Sequence, residues 1–171
     1  VPSNYDTDLF QPILREIAGL CGKKYGGSPD FDAPMRVIAD HARATAFLIA
    51  DGIMPSNEGR GYVLRRVMRR ALRHGKKLGF DGPFLHKVAG TVVREFSQAY
   101  PELKNSASFI DTVAFQEERR FLETLDAGLR MVEEELSRMQ EAKADVFPGD
   151  AAFKLYDTYG FPVDLTADLC R

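Results

Sequence analysis

Pro55-Ser56-Asn57-Glu58-Gly59-Arg60-Gly61-Tyr62-Val63-Leu64-Arg65-Arg66-Val67-Met68-Arg69-Arg70-Ala71-Leu72-Arg73-His74-Gly75 reads as one helix from start to stop. Asn57, or Ser56 before it, is a good N-cap, because its side-chain oxygen accepts a free backbone N–H of the first turn. Gly75 after Arg73-His74 reads as the stop. Arg65, Arg66, Arg69, Arg70 and Arg73 recur so as to cover about 140° of the helix circumference. Val63, Leu64, Val67, Met68, Ala71 and Leu72 fill the other side. One face is built to pack and the other to stay wet and positive.

The segment Asn57–Leu78 holds eight basic residues and one acid, a charge of +7, while the whole chain is −2, so the remaining residues sum to −9. Five arginines on one face repel one another by a few tenths of a kcal/mol per pair, unless acids from elsewhere neutralise them. The planar arginine fork suits phosphate oxygens, which points to a nucleic-acid backbone. Three other readings stay open: a solvated face laced with internal ion pairs, an acidic protein partner, and an anionic membrane surface.

Helical periodicity extends in both directions. Upstream, Thr7 or Asp8 caps a helix through Leu20, with Leu9, Phe10, Ile13, Leu14 and Ile17 on its core side and Pro12 in the first turn. Residues 23–32 read as a loop. A helix opens at Asp32-Ala33-Pro34 and stops at Gly52; its wide apolar girth makes it the central core helix. Downstream, a helix runs from about Pro83 to Tyr100. A proline-free pattern follows over 106–142, about 55 Å as a helix, with Phe109, Val113, Phe121, Leu125, Leu129, Val132 and Leu136 as its apolar stripe. Phe147-Pro148-Gly149-Asp150 breaks it, Asp150 caps a short helix to Asp157, and Pro162-Asp164 opens another. No stretch alternates with a period of two. The fold is therefore predicted to be all-α, with six or seven helices including one long one. The expected division is 1–104, with the basic helix, and 105–171, the long helix plus a C-terminal helical segment.

At 171 residues the chain has enough core to fold. Its composition is that of an ordinary soluble globular protein. No apolar run approaches a membrane span and no signal-peptide pattern opens the chain. Cys21 and Cys170 read as buried free thiols, which suits an intracellular setting. The start at Val1-Pro2-Ser3-Asn4 without Met and the end at Arg171 inside a fresh helix both read as cuts in something longer. The histidines His41, His74 and His86 lie on separate elements with no zinc spacing, and Gly59-Arg60-Gly61 is too short for a phosphate loop. Glu117-Glu118 reads as the solvated face of the long helix. Nothing argues for catalysis within this segment.

Two long motifs and one short one then carry a resemblance. Arg36-Val37-Ile38-Ala39-Asp40-His41 through Asp51-Gly52 and on to Arg65-Arg66, Leu155-Tyr156-Asp157-Thr158-Tyr159-Gly160-Phe161-Pro162-Val163-Asp164-Leu165-Thr166, and Asn4-Tyr5-Asp6-Thr7-Asp8-Leu9-Phe10 resemble alanyl-tRNA synthetases, in order and over essentially the whole chain. The resemblance implies a cytoplasmic class II ligase that joins alanine to tRNA using ATP with magnesium, and that has zinc in its editing region. It places the catalytic domain before Val1 and the editing and oligomerising regions after Arg171. The segment itself would be inactive and need no cofactor. It would be the helical part that reads the G·U wobble pair of the tRNA(Ala) acceptor stem, beside the catalytic and editing domains of the same chain and away from any membrane.

By motif, Asn57 and Asp157 carry over as the base readers. A wobble pair leaves the guanine 2-amino group without its usual partner. A carboxylate accepts from an amino group, and an amide can donate or accept. The wide, shallow RNA minor groove admits short side chains. Arg60, Arg65, Arg66, Arg69, Arg70 and Arg73 would hold the backbone and set register. Without the family, Asn57 reads as a cap, Asp157 as a local hydrogen-bonding group before the Gly160-Phe161-Pro162 turn, Arg60 as a partner of Glu58, and Tyr156 and Tyr159 as core or stacking residues. A helical module docking an acidic protein partner is the alternative to RNA, and a helix-turn-helix DNA reader is a weaker third.

Overall fold

A computed structural model of the chain describes residues 3–170; the two ends read as cuts, at Val1-Pro2 and at Arg171, lie outside them. Among the described residues there are eight α-helices, one 3-10 turn at Asn4–Asp6 and no strand. The helices are α1 (Gln11–Cys21), α2 (Pro29–Ala50), α3 (Gly59–Leu78), α4 (Leu85–Phe96), α5 (Pro101–Asn105), α6 (Ala107–Ala142), α7 (Gly149–Asp157) and α8 (Val163–Leu169). The chain divides into two compact units at Arg119/Arg120, inside α6.

In the first unit α2 is the hub and packs against α1, α3, α4 and α5. Its buried residues Met35, Ile38, Ala39, Ala42, Thr45, Ala46 and Ile49 recur at helical spacing, as one stripe facing several neighbours requires. The stripe meets Ile13, Leu14 and Ile17 of α1, Leu64, Met68, Ala71 and Leu72 of α3, and Val88, Ala89 and Val92 of α4, all fully buried. The second unit holds the rest of α6 with α7 and α8; its buried core includes Phe121, Leu125, Val132, Leu155, Phe161 and Leu165.

Several boundaries differ from the sequence reading for local reasons. Helix α2 begins at Pro29, where the Ser28 Oγ accepts from the Asp30 N–H at 3.3 Å. Asp32 does not cap; it accepts from the Gly26 N–H at 2.7 Å and ties down the loop. Neither Thr7 nor Asp8 caps α1: Phe10 stands at its N-cap position without a side-chain bond, and Pro12 sits in the first turn as expected. Leu9 and Phe109 are exposed rather than core. The helix expected to run to Tyr100 ends at Phe96, as α4, and Pro101 opens a further short helix, α5. The cysteines are free, but Cys170 is exposed and Cys21 half-buried.

Helix α3 does not stop at Gly75. A Cβ there would lie 2.2 Å from the Phe84 ring, so the glycine is the seat of that ring. The stop is Gly79, with φ 90°. Its N–H bonds the Lys76 carbonyl at 3.0 Å and the Phe80 N–H bonds the Gly75 carbonyl at 3.1 Å, a Schellman closure.

Candidate nucleic-acid interface

The expected single wet stripe of α3 is corrected by the structure: its arginines fall into different settings. The core side is Leu64, Met68, Ala71, Leu72 and Gly75. Val63 lies away from that side and is 51% exposed, not packed. Arg60, Arg66, Arg70 and Lys77 are exposed, Arg65 and Arg69 are half-buried, and Arg73 is buried.

Arg65 and Arg69 converge on one carboxylate, that of Glu117 on α6. Arg65 donates from Nε at 2.9 Å to Oε1 and from Nη2 at 3.2 Å to Oε2, a two-point fork. Arg69 donates to Oε1 from Nη2 at 2.8 Å and from Nε at 3.1 Å. The side chains are 16%, 13% and 4% exposed for Arg65, Arg69 and Glu117. Burial lowers the Arg69 pKa and the Glu117 charge opposes the shift, so the guanidinium stays charged.

Glu118, next on α6, is fully buried. Its carboxylate accepts the backbone N–H groups of Phe84 (2.6 Å), Leu85 (2.9 Å) and His86 (3.3 Å), and lies 3.0 Å from the His86 Nδ1. It therefore caps α4 from another helix, satisfying donors that α4 cannot satisfy itself. The expectation that Glu117-Glu118 is a solvated face is thus overturned. Sequence reading missed both residues because their partners lie more than thirty positions away.

Asn57 does not cap α3. Glu58 stands at the N-cap position with no side-chain bond. The Ser56 hydroxyl donates to the Glu58 carbonyl at 2.8 Å. A Cβ at Gly61 would lie 2.2 Å from both the Met54 carbonyl oxygen and Ser56 Oγ, so only glycine lets the 54–56 strand of loop lie against α3. This packing holds Asn57 exposed at the head of the basic helix. Its Oδ1 accepts from Arg65 Nη1, while Arg65 Nη2 also reaches the Pro55 carbonyl at 3.4 Å. Arg60 forms no ion pair with Glu58 among the described residues.

Burial shifts two histidines of the first unit. His74, pressed also by Arg73, Lys77, Arg70 and His41, is pushed down to about 4. His41 is lowered by burial against the pull of Asp40, whose carboxylate lies 2.9 Å from its Nδ1.

Asp157 belongs to the second unit, as the last residue of α7. Its carboxylate is exposed and makes no hydrogen bond among the described residues, so it does not serve the local turn. The backbone under it is rigidly seated. The Phe161 N–H bonds the Leu155 carbonyl at 2.9 Å across Gly160, whose φ is 70°. A Cβ at Gly128 would lie 2.3 Å from the Phe161 ring, and Phe121 packs on that ring at 5.6 Å. Thr124 Oγ1 donates to the Tyr159 carbonyl at 2.9 Å. Tyr156 is exposed and Tyr159 half-buried.

Among the described residues no group of three or more His, Cys, Asp or Glu is placed to hold a metal, and no helix is long and apolar enough to cross a membrane. The family model described as tRNA synthetases class II (A) matches residues 1–171. The chain is 57% identical over 169 residues to the alanine–tRNA ligase of Desulfosudis oleivorans, covering 99% of this chain and 19% of that protein. It is 54% identical over 167 residues to that of Lawsonia intracellularis (98% and 19%) and 52% identical over 178 residues to that of Anaeromyxobacter dehalogenans (96% and 20%). The chain thus spans about a fifth of the length of these curated relatives. With a family match along its whole length, this chain belongs to the class II tRNA synthetase (A) family.

Proposed function

We propose that this chain is the segment of an alanine–tRNA ligase that recognises the tRNA(Ala) acceptor stem at its G·U wobble pair. The observation that carries the reading is Asn57: it is relieved of capping, exposed, and held at the head of the one strongly basic helix. Asp157 supplies the second reader, an exposed carboxylate on a seated helix end. A carboxylate accepts from the guanine 2-amino group, and the amide supplies donors to a neighbouring acceptor. Arg60, Arg66 and Arg70 form the outward phosphate grip, while Arg65 and Arg69 brace the helix on Glu117. Ligation itself, with ATP and magnesium, and editing with zinc, belong in this reading to other parts of a cytoplasmic enzyme. The segment alone is then inactive and works beside the catalytic and editing domains.

Binding of an acceptor-stem minihelix, measured against salt, tests this. Affinity falls steeply with salt, and the slope shrinks by about one for each phosphate-binding arginine removed. Asp157→Ala narrows the preference for G·U over G·C, with about 1–3 kcal/mol at stake. A flat salt dependence contradicts the grip, and an unchanged preference in Asp157→Ala contradicts the reader. One observation favours docking to an acidic protein instead: two arginines of α3 already engage a carboxylate. In that case minihelix RNA displaces nothing from the helix.

A further inference from the structure

If Asn57 reads RNA, something must decide which edge of its amide faces outward. An exposed asparagine can present either its oxygen or its nitrogen. We propose that Arg65, clamped by Glu117, is the positioning residue that turns Asn57 into a hydrogen-bond donor toward RNA; this rests on the acceptor-stem reading above.

The geometry runs from the core outward. Glu117 is almost fully buried and already held by Arg69. Arg65 lays its Nε and Nη2 on that carboxylate. The guanidinium is planar, so fixing two of its donors fixes the direction of the others. The remaining Nη1 donates to Asn57 Oδ1. A flipped amide would set N–H donors against guanidinium donors, so the chemistry itself selects the orientation. The oxygen of this exposed residue is thereby engaged, and its amino group is the edge left for a ligand. Its RNA partner is then an acceptor on the minor-groove edge, such as a pyrimidine O2, and not an amino group. Amino-group recognition is left to a carboxylate. Lysine at position 65 keeps the charge but has no fork, so it cannot hold Glu117 and Asn57 together in one plane.

Two readouts separate positioning from phosphate binding and from simple stability. In the free chain, the Asn57 side-chain amide resonances are expected to be those of an ordered group, and to move to solvent-exposed asparagine values in Arg65→Lys. In minihelix binding, Arg65→Lys and Asn57→Ala each lower the G·U preference about three- to tenfold, and the double variant loses no more than either alone. Asn57→Asp keeps the Arg65 contact and removes the donor, so it loses the preference while melting no lower than the native chain. Unmoved amide resonances, additive losses in the double variant, or a retained preference in Asn57→Asp each overturn the proposal. If the native chain shows no G·U preference at all, the acceptor-stem reading fails, and the amide resonances alone decide whether Arg65 positions Asn57.

Discussion

Arg65 and Arg66 are neighbours in sequence with opposite surroundings. On one flank of α3, Arg65 and Arg69 turn to α6 and are half-buried on Glu117. On the outer arc, Arg66 and Arg70 are exposed. The charge and residue type are the same, and a rotation of about 100° separates a half-buried brace from an exposed side chain. Helix α6 repeats the lesson with acids. Glu117 and Glu118 are buried and fix α3 and α4, whereas Glu133 and Glu134 are exposed on the same helix. A charged residue is drawn into the packing when a buried group of another element meets it, as Glu117 meets Arg65 and Arg69.

The two flanks are expected to respond to substitution in opposite ways. Glu118→Ala strips the acceptor from three backbone N–H groups at a buried helix start, and a loss of about 4 kcal/mol in urea denaturation is expected. Glu117→Ala leaves Arg65 and Arg69 half-buried without their shared carboxylate; about 3 kcal/mol is lost, and Glu117→Gln loses less. Equal melting of Glu117→Ala and native protein would erase the distinction between flanks. Acid probes the same helix. His74 binds its proton more weakly folded, at about 4, than its ordinary 6.5. The unfolded chain therefore takes up the proton first, and stability falls as pH drops from about 6.5 toward 4, by about 2 kcal/mol after allowing for partial exposure. His74→Gln should flatten that limb and leave the curve above pH 7 unchanged. On the outer arc, Arg66→Ala and Arg70→Ala change stability by no more than about 0.5 kcal/mol, yet each lowers the salt slope of minihelix binding by about one.

Much of the fold is visible in the periodicity. The long helix, expected over 106–142, spans Ala107–Ala142, and α2 is the central helix that its apolar girth indicates. Stops and starts were less legible where tertiary contacts override local signals. Gly75 looks like a helix end and is a seat for Phe84; Asn57 looks like a cap and is held by Arg65. The burial of Glu117 and Glu118 was not legible, because nothing within a few residues of them reveals that α3 and α4 supply their partners. For the same reason the helix period placed Val63 on the apolar side, while the actual core side is set by where α2 lies.

The central claim is that Asn57 and Asp157 read a G·U pair while the outer arginines hold the backbone. Its most direct test is competition between G·U and G·C acceptor minihelices for this chain at fixed salt. A preference for G·U that shrinks in Asp157→Ala and in Asn57→Ala, with the salt slope unchanged, is the expected result. Equal binding of the two minihelices by the native chain would contradict it.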